Sequence, residues 1–495
     1  MRRSIVFAFI ARYSINAINL LMAAILARLL HPDEIGVLAI CAAIFMITEA
    51  LRDFGVSVYL IQAREITPAG AGTAFTVMLI LSLGLAGAAY VSAAPIAAFY
   101  LEPRLEPVLH IAALGFLVGP FLSPSLALLR RDMAFDAIAA ITVAGAAVNL
   151  VAAVVLVLGG AGYMGPAWGT VIGGLASTAL ALLYRPQLWI FRLTLKDWRS
   201  VVSFGSCSSA TAILNLFYMM LPQLALGRIL GFEAVGLYSR ATMLCQMTER
   251  TIASAIEPVV LPAFAAEVRK GNSLKQAYLR GLSYMSAVQW PFLLCLALLA
   301  DPAVQVLFGP QWSGVAPLVS IMALASLALF PAFMTYPALV SVHRVKDTLI
   351  LSLVVLPPCI AIIIGSSFLG LSWVAASLFL TAPLQIWASL TFVRRSIPFS
   401  WREAAAACRS SALVALATAA VPLVAVMIEG FRFDHPFIAM AIIVPGMAAA
   451  WVGGLLATDH PLLSEIGGRE RIRSWLGGAL TPRRRRPPRA GPARP

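Results

Sequence analysis

The residues of this chain with chemistry to offer are charged and amide side chains set inside long apolar segments. The first such segment carries Arg12, Asn16 and Asn19. Their spacing of i, i+4, i+7 puts all three on one face of a helix. A second carries Glu49, Arg52 and Asp53, again on one face, and a later one carries Arg240, Gln246, Glu249, Arg250 and Glu257. Such groups are costly in hydrocarbon, and they mark substrate paths, ion relays or paired charges. An arginine fork donates two parallel hydrogen bonds and suits a phosphate-like anion. A carboxylate can carry a coupling proton. The candidate substrate-binding set is Arg12, Asn16, Glu49, Arg240, Glu249 and Arg250, with Arg12 the foremost anion contact. Local ion pairing is the competing reading, with Glu49 against Arg52 and Glu249 against Arg250 or a neighbouring helix. Arg52 and Asp53 approach a segment end, where they can reach the interface.

Catalytic and metal signatures are missing from the sequence. It holds no glycine-rich phosphate loop followed by lysine, no HExxH, no G-x-S-x-G and no metal-ligand cluster. The six cysteines (Cys41, Cys207, Cys245, Cys295, Cys359, Cys408) are scattered singly, as buried apolar thiols would be. His110 has the chemistry of a proton carrier, but a lone histidine is more often a satisfied interior residue. No enzyme activity and no cofactor are implied.

The elements that must position these residues are membrane helices. The chain is 60% hydrophobic and 12% charged, with a mean hydropathy of +0.89. Soluble domains carry about 25% charged residues. Apolar stretches of about 20 residues, the length that crosses a bilayer, recur throughout. They predict an all-α polytopic membrane protein of about fourteen spans, at 5–27, 34–61, 72–94, 107–129, 136–158, 162–184, 201–226, 234–262, 277–299, 314–340, 348–369, 371–393, 405–428 and 436–458. The N-terminal segment holds Arg12, Asn16 and Asn19 and leads into more membrane, so it reads as the first span and not as a cleaved leader.

The net charge of +14 does not point to nucleic acid. With the N-terminus in the cytoplasm, 28 of the 36 Lys and Arg fall on the cytoplasmic side, counting Arg280 and Arg409 just inside the ends of their spans, four fall outside and the other four lie within spans. This is the positive-inside pattern, and it places both termini in the cytoplasm. Phe191 to Ser200 reads as an amphipathic stretch at the inner interface. The run Arg483 to Arg486 reads as part of a disordered tail near anionic lipid.

The sequence also repeats. Ala27 to Leu38 (A-R-L-L-H-P-D-E-I-G-V-L) matches Gly227 to Tyr238 (G-R-I-L-G-F-E-A-V-G-L-Y), with Arg28/Arg228, Leu30/Leu230 and Gly36/Gly236 identical at an offset of 200. Thr48-Glu49 matches Thr248-Glu249 at the same offset, and Pro107 to Leu114 matches Pro317 to Leu324 at an offset of 210. Six spans per repeat is an even number, so the repeats are parallel and a substrate path is expected between them. The organisation predicted is 1–200 and 201–400 as six-helix bundles around a central cavity, 401–460 as an appended helix pair, and 461–495 as a cytoplasmic tail. Arg28 and Arg228 read as loop-capping residues at the outer mouths.

On these residues the chain resembles the Wzx-type polysaccharide exporters of the multidrug/oligosaccharidyl-lipid/polysaccharide exporter superfamily. The stretches that carry the likeness are Ala27 to Leu38, Asp53 to Gln62 (D-F-G-V-S-V-Y-L-I-Q), Leu226 to Arg240, Tyr278-Leu279-Arg280 and Leu307 to Pro317 (L-F-G-P-Q-W-S-G-V-A-P). The resemblance implies two bundles that alternate between inward- and outward-open states in a bacterial inner membrane. It implies a lipid-linked oligosaccharide, on undecaprenyl pyrophosphate, moved to the periplasmic leaflet for surface polysaccharide synthesis. A polysaccharide polymerase and export machinery are the protein partners this would bring. No site residue carries over, because the family has no strict site motif. A multidrug or small-cation exporter of the same superfamily and a membrane polysaccharide polymerase or ligase are the alternatives. The first should show an acidic, aromatic path, and the second a sizeable outer loop.

Overall fold

A backbone in hydrocarbon must satisfy its own N–H and C=O groups, which leaves the helix as the available form for an apolar chain of this kind. The computed structural model describes residues 2–53, 56–62, 67–196, 198–199, 216–217, 219–247, 264, 267, 273–342, 344–430 and 433–465. Among the described residues there is no β-strand. The first half has α1 (Arg2–Leu29), α2 (Pro32–Asp53), α3 (Val56–Gln62), α4 (Pro68–Tyr100), α5 (Leu105–Arg131), α6 (Phe135–Leu156) and α7 (Met164–Tyr184). Residues 219–229 and 232–247 form α8 and α9. Then come α10 (Lys275–Leu298), α11 (Ala300–Leu307), α12 (Val315–Ser326), α13 (Ala332–Ser341), α14 (Val345–Ser367), α15 (Leu371–Ala376), α16 (Leu378–Arg394), α17 (Trp401–Glu429), α18 (Pro436–Ala457) and α19 (Leu462–Glu465).

Twelve helices among the described residues are long and apolar enough to cross a membrane. They correspond one for one to twelve of the fourteen expected spans. The other two expectations, 201–226 and 234–262, fall partly outside the described residues. Local sequence sets several of the boundaries. Thr67 caps α4 by accepting the Gly70 N–H, with Pro68 in the first turn. Ser400 and Glu403 form a reciprocal capping box at the start of α17.

One expected span is broken. The stretch 314–340 is α12, a 3₁₀ turn at Leu327–Leu329 and α13. Its freed Leu327 carbonyl accepts from Trp290 Nε1 at 2.7 Å, which is how a break inside a membrane bundle is tolerated. The stretch 34–61 is helical in its described parts, as α2 and the short α3, and residues 54–55 between them lie outside the described residues. The linker expected to be amphipathic lies partly outside the described residues, which include Phe191 to Lys196. Arg192 to Leu195 are in no regular element, and the Thr194 N–H donates to Thr76 Oγ1 of α4 at 3.0 Å.

In the first half α1 packs on α6, α6 on α7, α4 on α5 and α5 on α7. In the second, α12 and α17 pack on α10, and α16 touches α12, α13 and α14. The pair α17–α18 is joined to this set through α10 and α11.

The two halves meet at the end of the molecule that carries the α1–α2 turn, and the contact is reciprocal. A Cβ on Gly36 would overlap the Phe232 carbonyl, and a Cβ on Gly236 would overlap the Pro32 carbonyl. Positions 32 and 232, like 36 and 236, are repeat equivalents, so the contact has the i-to-j, j-to-i form of a two-fold interface. Only glycine permits this approach of backbones. Around it, Trp312 Nε1 donates to the Ala27 carbonyl at 2.6 Å, and Gln311 Nε2 donates to the carbonyls of Ala27 and Leu30, the latter at 3.2 Å. These are terminal carbonyls of α1 that have no partner inside the helix. Arg28 donates to the Val306 carbonyl at 2.6 Å. The Arg228 guanidinium lies 5.6 Å from the Phe99 ring centroid. Each repeat arginine therefore reaches the opposite half and does not cap its own turn.

Candidate functional site

Directly beneath this contact lies a cavity of about 350 Å³ between α1 and α9. Tyr13, Asn16, Ala17, Asn19 and Leu20 line it from α1, and Met243, Leu244 and Met247 line it from α9. Arg12, Tyr13, Asn16, Ala17 and Asn19 are exposed, while neighbouring Ala11 and Ala23 are buried. The helix thus presents its polar face to open space. Among the described residues Arg12, Asn16 and Asn19 have no hydrogen-bond or ion-pair partner. Two carboxamides with unused donors and acceptors therefore stand along one wall, and exposed Arg12 lies one turn away on the same helix face, outside the lining. The thioethers of Met243 and Met247 face them, and such side chains adapt their shape to varied partners.

The other candidates separate. Glu49 is half-exposed and pairs with buried Arg52 at 2.9 Å, while Asp53 accepts from Ser57 Oγ at 2.6 Å. Arg240 lies outside the cavity lining. Its guanidinium sits 5.6 Å from the Phe308 ring centroid and 5.7 Å from that of Trp312. Its buried Nε has no partner. Among the described residues no carboxylate pairs with it, so the two aromatic faces supply its stabilisation. Glu249, Arg250 and Glu257 lie outside the described residues, and Gln246 is not a lining residue. His110 stacks on Tyr90, with Nε2 3.2 Å from the Tyr90 carbonyl.

Some site residues were not picked out from the sequence. The wall made by Met243, Leu244 and Met247 gives no signal, because an apolar residue in a membrane helix reads the same toward lipid or cavity. Tyr13 was findable, since it sits beside the Arg12–Asn16–Asn19 stripe. Among the described residues no cluster of His, Cys, Asp or Glu could hold a metal ion.

A larger hollow of about 860 Å³ lies at the other side of the contact region, lined by Ala297, Asp301, Gln305, Ser313 and Ser320 among others. It belongs to the second half alone and carries no cation. Near the α1–α2 turn, Arg104 ties the α4–α5 turn to α2 through Glu102 at 2.8 Å and Asp33 at 2.7 Å. The hydrogen bond from Arg104 holds the Glu102 carboxyl below its ordinary range.

A family of polysaccharide biosynthesis proteins matches residues 25–317. The chain belongs to this family. Within it, the chain is 25% identical over 327 residues to the lipopolysaccharide biosynthesis protein WzxC of Escherichia coli K12. It is 26% identical over 328 residues to the succinoglycan biosynthesis transport protein ExoT of Rhizobium meliloti. These matches cover 64% and 65% of this chain and 65% of each relative, so the likeness spans just under two thirds of their length. The fold is shared with the lipid II flippase MurJ in an inward closed conformation, at TM-score 0.73 and 12% identity over 93% of this chain and 99% of that one. An inward-facing multidrug resistance MATE transporter superposes at TM-score 0.62, with 18% identity over 78% of this chain and 99% of that one. The chain is thus an all-α, multi-pass membrane protein of the polysaccharide-biosynthesis exporter group.

Proposed function

We propose that this protein is a flippase that moves a lipid-linked oligosaccharide, on undecaprenyl pyrophosphate, from the cytoplasmic to the periplasmic leaflet of the bacterial inner membrane by alternating access. The observation that carries the reading is the cavity wall made by Asn16 and Asn19, with Arg12, unpaired among the described residues, one turn away on the same face of a membrane helix. A cation within a membrane span is costly without a counter-ion, and a phosphate-bearing substrate would supply one. The carboxamides one and two turns further along can bond sugar hydroxyls as both donors and acceptors. The relatives' role in surface polysaccharide synthesis and the flippase fold support the same reading.

In this reading the halves 1–200 and 201–400 move as two bodies, the pair 401–460 travels with the second, and the termini face the cytoplasm. A small-cation exporter would need a carboxylate on the cavity wall, and the described lining has none. A polymerase or ligase needs catalytic groups on the outside.

Deletion of the gene tests the reading, with extraction of lipid-linked saccharides and assay of surface polymer. The expected result is loss of polymer with accumulation of the lipid-linked unit in the inner leaflet. Arg12→Ala should reproduce that loss at normal protein level, and Arg12→Lys should restore part of the export. Full export by Arg12→Ala would remove Arg12 from the substrate path. Altered drug sensitivity with normal polymer would favour the small-cation exporter. Periplasmic but unpolymerised units would favour the enzyme.

A further inference from the structure

We propose that the hollow at the turn between α16 and α17 holds the phosphodiester headgroup of an anionic phospholipid from the cytoplasmic leaflet. This rests on the orientation read from charge and not on the identity of the cargo. Uncompensated charge, the level of the hollow in the membrane and the helix surface below it carry the assignment.

The hollow has a volume of about 490 Å³ and gathers side chains from three helices. Lys275 comes from α10, Arg394 from α16 and Glu403 from α17, with Arg395 and Ser400 on the turn between the last two. Lys275 Nζ pairs with Glu403 at 2.7 Å, so these two charges cancel. The arginines are left over. Arg394 Nε donates to the Phe399 carbonyl at 2.9 Å, which fixes the turn, and among the described residues its terminal nitrogens have no acceptor. Arg395 has no carboxylate partner among the described residues, and its guanidinium lies 4.5 Å from the Phe392 ring centroid. Two guanidinium groups lining one hollow repel each other, and an anion between them relieves the repulsion. A phosphodiester fits, because its two unesterified oxygens can accept from separate forks. The N-terminus of α17 does not supply the attraction, since its capping box is already closed by Ser400 and Glu403.

The level of the hollow selects a lipid over a soluble anion. Trp401 opens α17, is 42% exposed and has its ring 4.9 Å from the Arg394 guanidinium. Trp387 is 62% exposed and lies one turn before Thr391, which lines the hollow. Exposed indoles at the end of a span mark the headgroup level. The same step recurs after the first half, where exposed Trp198 and Arg199 follow the basic residues Arg192 and Lys196.

Below the hollow, Arg402, Arg409, Leu413 and Leu416 follow one another on one exposed face of α17, at helical spacings. Cations give way to leucines along that face, in the order in which a phospholipid presents its headgroup and its acyl chains. Basic pockets between spans on the cytoplasmic side take anionic headgroups in this way. A headgroup seated here touches α10, α16 and α17 together. It therefore ties the appended helix pair to the second bundle through a contact that depends on the anionic content of the membrane.

The test is lipid retention by the purified full-length protein. Dioleoyl phosphatidylglycerol is titrated into the protein in neutral detergent, with dioleoyl phosphatidylethanolamine as the net-neutral comparison, and bound lipid is counted by native mass spectrometry. Arg394→Gln combined with Arg395→Gln should weaken the tightest phosphatidylglycerol binding about tenfold and leave phosphatidylethanolamine unchanged. Arg395→Glu keeps the Arg394 bond to the turn. It should weaken binding at least about fivefold, and it keeps the test open if the double variant does not fold. Arg130→Gln combined with Arg192→Gln removes the same charge from exposed arginines of the first half, and binding should stay within about twofold of the parent. Phosphatidylglycerol should also raise the unfolding temperature of the parent more than that of the Arg394–Arg395 variant. Parent-like binding in every folded site variant overturns the proposal. So does an equal loss in the Arg130–Arg192 control, which would make the attraction one of net charge. Undecaprenyl phosphate, added in place of phosphatidylglycerol, separates a carrier lipid from a membrane lipid. Loss of its binding alone in the site variants would overturn the phospholipid assignment. Binding in detergent requires neither transport nor cargo, so failure of the flippase reading would leave these results unchanged.

Discussion

At the residue scale, the informative side chains are those that the membrane should have rejected. Arg12, Asn16 and Asn19 were legible because a polar group in an apolar run demands a reason and helical spacing aligns the three. What they face was not legible, since the opposing Met243 and Met247 are ordinary membrane residues until the fold places them on a cavity. Glu49 shows the reverse. Its charge suggested a coupling site, yet its carboxylate lies 2.9 Å from a buried arginine. If that pairing is its role, Glu49→Gln should leave Arg52 under-compensated and lower stability by about 1 kcal/mol, the discounted value for a half-exposed pair. Dependence of transport on an ion gradient should not change. Reconstituted vesicles with and without a gradient would check this, and lost gradient dependence would put Glu49 on the coupling path.

At the scale of elements, helix existence was written in apolar length, whereas helix interruption was not. The break at Leu327–Leu329 depends on Trp290 of another helix finding the freed carbonyl, a tertiary contact that no local pattern encodes. The same holds for the C-terminal pair, which the sequence marks only as an addition beyond the repeat. The structure fastens it with His460, which is buried just beyond α18. His460 Nδ1 accepts the Leu462 N–H at 3.1 Å, so the proton sits on Nε2, 3.0 Å from Ser411 Oγ and 3.1 Å from Ser283 Oγ. Ser411 in turn donates to the Ser283 carbonyl at 2.9 Å. Burial lowers the His460 pKa. The folded state therefore binds this proton less readily than the unfolded chain does. Stability from this group is full above the unfolded pKa of about 6.5 and falls as pH drops below it. Thermal unfolding of the purified protein should shift down between pH 7.5 and 5.5, and His460→Gln should flatten that dependence. His460→Ala should cost roughly 1–3 kcal/mol at pH 7.5 by stranding buried hydroxyl and backbone groups. An unaltered pH profile in His460→Gln would show that other groups set the acid response.

At the scale of the whole molecule, the repeat was visible in sequence because its shared residues are polar or glycine, and the fold supplies the reason. Gly36 and Gly236 are alike because each must admit the other half's backbone, and Arg28 and Arg228 because each reaches across the same seam. The proposed orientation, with that seam on the outer face, rests on charge. Placing the α1–α2 turn outside puts 28 of 36 Lys and Arg on the opposite side and only four on the outer side, an asymmetry that insertion reads directly. The orientation has consequences that can be measured separately from transport. A fluorescent protein fused after Pro495 should fold in the cytoplasm and fluoresce. Alkaline phosphatase inserted after Leu101, in the turn between α4 and α5, should be active only if that turn faces the periplasm. Active phosphatase together with a fluorescent C-terminus would place the glycine seam outside and the Arg12 end of α1 toward the cytoplasm, where a newly made lipid-linked sugar would first meet the cation. The inverse pair of results would turn the molecule over. The seam would then face the cytoplasm, and the direction of movement proposed here would have to be reversed.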